Sequence, residues 1–488
     1  ALGLELSMKK CEIWWPSGDQ PFAEFPGNVK KIPPEGVDIL KIPEGPDAYV
    51  ARRLQEKVAD MGRIVNKLGL IEDAQVEFTM LRACLGACRV LYCLRGAPPG
   101  PLVLDVLREA DGHMRKTLER LLGHSLPDRA WTQAGLRVSE GGLGLRHALD
   151  VAYPAYLGSV MSSSALVAKL LGKEEVTLPG VGNAATEYMA SLGAEEATSV
   201  EPWVKLLQDG PVTEDQRALC PTRPQSMFQK AGDASSWRRL CSGTTCSWEL
   251  ERLEAERRKR AGAWLGCFPN ANLGLKMKPQ EFVVGVRYWL GLCGQTGFRA
   301  LLNTGRDQIA RHDAIRDVLY ETAKTCGLSP GREVAVDGSN FRPGDLYIPN
   351  WSEGRSLAAD VRVSHPSQGN PSLLASGEEN ASLRAAESAA EAKRIKHGDR
   401  CRAQGVTFLP LAVCAFGGWL PEGEAFVSKL AGLLSERTGL TKSVASSQLW
   451  QRLSMAMWRS NARALIHHAP PADLGSWDLP GFVSSTGR

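Results

Sequence analysis

NFRPGDLYIPNW, from Asn340 to Trp351, is followed by SLAADVRVSHP, from Ser356 to Pro366, and then by an alanine-rich run that ends AEAKRIKH at His397. Leu357, Ala359, Val361 and Val363 alternate with Ala358, Asp360 and Arg362, which is the period of a half-buried strand. Asp345 stands beside a short apolar run, Leu346 to Ile348, that reads as a second strand. Two carboxylates on neighbouring strands can share a hard divalent cation, whose remaining positions go to water and phosphate. Such a cation activates the water and steadies the leaving oxygen of a phosphodiester. A lysine completes the set by orienting that water or offsetting developing charge. Two residues beyond Asp360 on the same strand face stands Arg362, which stays charged and cannot act as a base at neutral pH. Lys393 and Lys396 share a helix face at a spacing of three and are the better candidates.

The order Arg342-Pro343-x-Asp345, then Asp360-Val361-x-Val363, then a displaced helical lysine resembles the restriction-like endonuclease at the C-terminal end of a class of non-LTR retrotransposon proteins. ARHDAIRD (Ala310 to Asp317), PLAVCAFGGW (Pro410 to Trp419) and QRLSMAMWRSNARA (Gln451 to Ala464) are similar to segments of the same proteins. The resemblance implies that Asp345 and Asp360 bind magnesium or manganese and that Lys393 or Lys396 fills the lysine role. It also implies target DNA as substrate, element RNA as a partner and work in the nucleus. Near the start, Gly3-Leu4-x-Leu6 leading to Lys10-Cys11-Glu12 resembles the part of a reverse-transcriptase palm that follows its catalytic acidic strand. The acids of such a polymerase lie on earlier strands, so Asp19 is not assigned to them and the chain is expected to have no autonomous polymerase activity. The abrupt start without methionine reads as a fragment. One departure stands out: the compact Cys/His knuckle of these proteins has no counterpart where Cys293 is followed by GQTGFRALLNTGRDQIARH, and Cys293, His312 and Cys326 are too loosely spaced to replace it. A catalytically inactive nucleic-acid-binding or structural remnant is therefore the competing reading.

At 488 residues the chain is long enough for more than one domain, and a hydrophobic content of 43% argues against wholesale disorder. The longest apolar runs break before membrane-spanning length, so no membrane partner is expected. A net charge of +4 permits nucleic-acid binding, which local basic faces would have to supply. The 12 cysteines form no compact secreted framework and read as mostly reduced, apolar thiols. Cys84, Cys88 and Cys93 are expected in a core rather than on zinc.

Residues 16–46 read as turns with two short strands. Leu54, Val58, Met61 and Val65 make one helical stripe, and Phe78, Leu81, Leu85, Cys88 and Tyr92 another. A helix over 102–122 carries Arg115, Lys116 and Arg120, which either contact nucleic-acid backbone by charge or form an ordinary solvated face. Trp131 and GGLGL at 141–145 continue the likeness to a polymerase thumb. Residues 220–246 read as turn-rich, and the charged stretch from Glu249 to Arg260 as an exposed helix. The expected architecture is a multidomain fragment, α/β and mainly helical. It comprises a palm remnant (1–47), a helical thumb-like region (48–165), a variable connector (166–255), a linker with a degenerate knuckle (256–310), a restriction-endonuclease-like α/β core (311–420), C-terminal helices (421–470) and a flexible tail (471–488).

Overall fold

The computed structural model of the chain describes residues 7–15, 29–172, 180–208, 221–294, 305–366 and 381–468. Helices dominate, and the described strands form one four-stranded sheet and two short pairings. The chain divides into two compact units. The first holds Ala1–Leu68, Met80–Thr117 and Arg146–Ser236, and the second Gly69–Thr79, Leu118–Leu145 and Trp237–Arg488.

In the first unit, strand Glu12–Trp14 pairs in parallel with Lys30–Ile32, and Val37–Ile39 forms a hairpin with Ile42–Glu44. Leu40 and Lys41 turn that hairpin with φ of 51° and 69°, a left-handed pair more usual for Asn-Gly. Residues 1–6 and 16–28 of the expected palm lie outside the described residues. Helix Asp47–Val65 buries the expected stripe of Leu54, Val58, Met61 and Val65. The second expected stripe runs only as far as Leu85: Gly86, at φ 73°, ends the helical path, and Cys88 and Tyr92 are exposed. Cys84 is exposed too, so of the three cysteines placed in a core only Cys93 is buried. Helix Ala148–Leu171 packs Tyr156, Leu157 and Met161 against Tyr188, Val204 and Phe228. Its first two amides are capped by Asp111, which accepts from Ala148 N at 2.6 Å and Leu149 N at 3.1 Å. Gly182 lies inside helix Val181–Ser191, and residues 224–242 form a helix where turns were expected.

The second unit is built on α1 (Arg306–Thr325), β1 (Gly331–Arg332), β2 (Leu346–Ser352), β3 (Arg355–Ser364), α2 (Arg384–Ala403), β4 (Val406–Cys414), α3 (Pro421–Thr438) and α4 (Lys442–His468). The sheet order is β1-β2-β3-β4, antiparallel except for the parallel β3–β4 pair. That parallel step requires a crossover, which α2 supplies. Leu357, Ala359, Val361 and Val363 enter one core with Ile315 and Leu319 of α1, Phe426 and Leu430 of α3, and Leu449 and Leu453 of α4. The two C-terminal helices thus complete the sheet's core. On the opposite sheet face Ala358 packs with Cys401 of α2 and Val406.

The 256–310 stretch, expected as a linker, contributes Trp264, Phe282, Tyr288 and Trp289 to the fully buried side chains. Trp264 stacks on Trp458 of α4 with ring centroids 4.9 Å apart. The charged stretch expected to be an exposed helix is also inward: in helix Ser247–Glu256, Arg252 and Glu256 are 1% and 0% exposed. Their charges face each other and Gln133 rather than water. No described helix is long and apolar enough to cross a membrane.

Candidate active site

The antiparallel register pairs Leu346 with Ala359, and one step further along it Asp345 stands opposite Asp360. Directly opposed residues have Cβ atoms about 4.5–5.5 Å apart. The turn before β2 lies close against β3, because a Cβ on Gly344 would fall 2.7 Å from the Ala359 carbonyl oxygen. Any side chain there would push Asp345 away from its partner. Asp345 is further fixed by its own Oδ2, which accepts from Val361 N at 2.8 Å and lies 2.8 Å from His312 Nε2. His312 comes from α1, and its Nδ1 is 3.1 Å from Asp313 Oδ1.

Asp360 points to the face covered by α2, where Lys393 Nζ lies 3.2 Å from Oδ1 and 3.0 Å from Oδ2. The helix is held there by His397, seated between the rings of Phe341 and Phe408, and by Arg400, whose Nε donates to Asp337 Oδ2 at 2.8 Å. Hydrogen bonds from Ser339 and Arg400 hold Asp337 down at about 2. Lys396 is exposed and forms no ion pair or hydrogen bond with either aspartate, so of the two helical lysines the fold brings only Lys393 to the acids.

The two acids are held differently. Burial pushes Asp345 up, but the hydrogen bond and charge of His312, the Val361 amide and Lys393 outweigh it and leave the carboxyl below its ordinary range. Burial lifts Asp360, the Asp345 charge lifts it further, and Lys393 offsets this only in part. The bond to Asp345 in turn raises His312 above an ordinary imidazole. Asp360 Oδ2 is buried and receives no directed hydrogen bond, and Asp345 Oδ1 has none either. Asp345 Oδ1 therefore remains for a hard cation, and Asp360 Oδ2, which only the Lys393 ammonium meets, can be shared with one. Among the described residues no three His, Cys, Asp or Glu side chains form a metal cage. Magnesium needs only one or two carboxylates when water and phosphate fill its other positions, so the pair fits such an ion.

The three other segments likened to retroelement proteins meet at one residue. Asn461, fully buried on α4, donates from Nδ2 to Ala415 O at 2.7 Å and accepts from Arg311 Nη1 at 3.4 Å. The knuckle candidates go elsewhere: Cys293 is buried, His312 serves Asp345, and Cys326 Sγ reaches Leu430 O. On helix Pro101–Leu122, Lys116 is exposed and Arg115 half-buried, while the guanidinium of Arg120 is already paired with the buried carboxylate of Glu77. His312 was not among the expected site residues; its place in ARHDAIRD, on the helix preceding the sheet, is the trace it leaves in the sequence. Comparison with protein-family models and with curated proteins returns no match, so the geometry of Asp345, Asp360, Lys393 and His312 carries the functional argument.

Proposed function

We propose that the chain is part of a non-LTR retrotransposon replication protein whose second unit is a restriction-like, metal-dependent DNA endonuclease acting in the nucleus on target DNA. The observation that carries this reading is the placement of Asp345 opposite Asp360 with the Lys393 ammonium on the same acid pair. A divalent magnesium or manganese ion bound there would act as a Lewis acid toward the phosphodiester and lower the pKa of a water. Asp345 would present its Oδ1 to that ion, and Asp360 the Oδ2 that it shares with Lys393. His312 and the Val361 amide orient Asp345, and the sheet keeps the acids in register without reorganisation. Lys393 places a positive charge where a phosphate oxygen or an attacking water can meet it.

Element RNA and target DNA would meet the exposed charge of Lys116 and its helix by backbone attraction, with little sequence preference and strong salt dependence. Polymerase activity of this chain alone is not part of the proposal. The test is nicking of supercoiled DNA with and without magnesium. Magnesium-dependent nicking that disappears in Asp345→Asn and Asp360→Asn, with the fold intact, supports the assignment. Nicking that survives both substitutions rules it out. A folded chain that nicks nothing while binding nucleic acid points to the inactive remnant, the reading favoured by the missing Cys/His knuckle.

A further inference from the structure

In the second unit a pocket of about 490 Å³ opens between the turn at Ala271–Leu275, α1, the end of α3 and the outer face of α4. Arg452 and Arg459, two helical turns apart on α4, both line it. Arg459 Nη2 donates to the carbonyls of Gly274 at 3.0 Å and Lys276 at 2.9 Å, which aims the rest of its fork. Arg452 Nη1 reaches only the hydroxyl of Thr322, at 3.4 Å. Both guanidiniums are half-buried, and neither has a carboxylate within ion-pair distance among the described residues. No acidic residue lines the pocket. Elsewhere in this unit Arg252 is paired with Glu256 and Arg463 with Glu281. Glu321 and Glu281 act on Arg452 and Arg459 only from beyond contact, so two half-buried cations carry a desolvation cost that an anionic ligand in the pocket would offset.

The remaining walls say what that ligand carries. Leu273 and Leu440 line it as exposed apolar side chains with the buried Leu449 beside them, and Asn272 and Gln448 bring amide groups that can both donate and accept. We propose that this pocket binds one unstacked nucleotide, its phosphate held by the forks of Arg452 and Arg459 and its base laid on the leucines with its edge to the amides. Guanidinium matches phosphate in bidentate geometry, and the volume lies in the range of small-ligand sites. The shared chemistry is a phosphate joined to a planar base, and it comes from a free nucleotide or from an unpaired position in a strand. This site is separate from the acid pair and stands or falls without it.

The test measures binding to the full chain of a nucleoside monophosphate, the matching nucleoside, a short single-stranded oligonucleotide and an acidic peptide of equal charge. The variants are Arg452→Met, which removes one fork, and Leu440→Asp, which adds a negative charge at the half-exposed lip without removing a polar contact. A phosphate-bearing ligand is expected to bind, the nucleoside not to, and each variant to weaken binding about ten-fold or more. Tight binding of the monophosphate assigns a free nucleotide; binding of the oligonucleotide with only weak binding of the monophosphate assigns a strand. Unchanged affinity in both folded variants overturns the proposal, as does an acidic peptide that binds as tightly as the nucleotides. If Arg452→Met does not fold, Leu440→Asp decides alone.

Discussion

Arg252 and Glu256 sit one turn apart on a single helix, each almost wholly buried, with Nη1 of the arginine 3.0 Å and 2.9 Å from the two carboxylate oxygens. Gln133 donates to Glu256 Oε2 at 2.8 Å and accepts from Arg252 Nη2 at 3.1 Å, and the same guanidinium also bonds the Trp289 carbonyl. Lys393 and Asp360 instead come from a helix and a strand, with the lysine side chain a third exposed and one aspartate oxygen left without a directed hydrogen bond. The first pair makes its bonds inside the protein and ties three segments of the second unit together. Burial lifts the acid in both pairs, Glu256 to about 8, but Asp360 is lifted also by a second carboxylate, Asp345, and its lysine reaches water. The difference lies between a pair closed off by its neighbours and one that faces a second acid at an open edge.

The comparison breaks most visibly if the closed pair can be opened cheaply. Arg252→Met should cost about 3–5 kcal/mol in denaturant unfolding, because it leaves the buried Glu256 carboxyl with the Gln133 amide but no cation. Adding Glu256→Leu should recover much of that loss, and a single substitution that costs under about 1 kcal/mol would remove the structural half of the contrast. The open pair should behave the other way. Asp360→Asn should leave the melting temperature unchanged or raise it while lowering magnesium-dependent nicking by about 10²–10³-fold. A large loss of stability from that change would make Asp360 structural after all.

Asp111, in the first unit, separates burial from ion pairing. It caps a helix through two amides, and burial lifts it to about 6 from 3.8 against the pull of His147 and those amides. A carboxyl raised in the fold favours folding fully below 3.8, and that contribution is lost as the pH climbs through 6. Stability should therefore fall by about 3 kcal/mol across that window, and Asp111→Asn should flatten the slope in pH-dependent melts. The smallest effect sharpens the choice between lysines. Lys393→Met should cut nicking by about ten-fold or more, whereas Lys396→Met should change it by no more than about two-fold at fixed salt.

The acid pair is legible in the sequence because a period of two assigns Asp360 to a strand face before any coordinates exist. The facing position of Asp345 needs the register, and the choice of Lys393 over Lys396 needs the seating of α2 on Phe341 and Phe408. Helical spacing alone puts both lysines on one face. The stretch at 249–260 misleads for the opposite reason: its charges look solvated one by one, and only Gln133 and Trp289, distant in sequence, make them a buried network. The helix at 224–242 is masked by its serines and Gly232, weak helix formers that packing overrides. His312 leaves no more than its place in ARHDAIRD, because a histidine beside an aspartate on a helix does not name a partner 33 residues away.

Asn461 bonds to Ala415, 46 residues before it, and to Arg311, 150 residues before it, and so fixes when this unit can exist. A ribosome delivers the sheet and both acids well before it delivers the helix that closes their core. Until then the strands and α1 would be exposed, sticky surface in need of a chaperone, since such contacts of long sequence separation form late. A stop codon a few dozen residues early would therefore yield no folded second unit, even though every residue of the acid pair would have been translated.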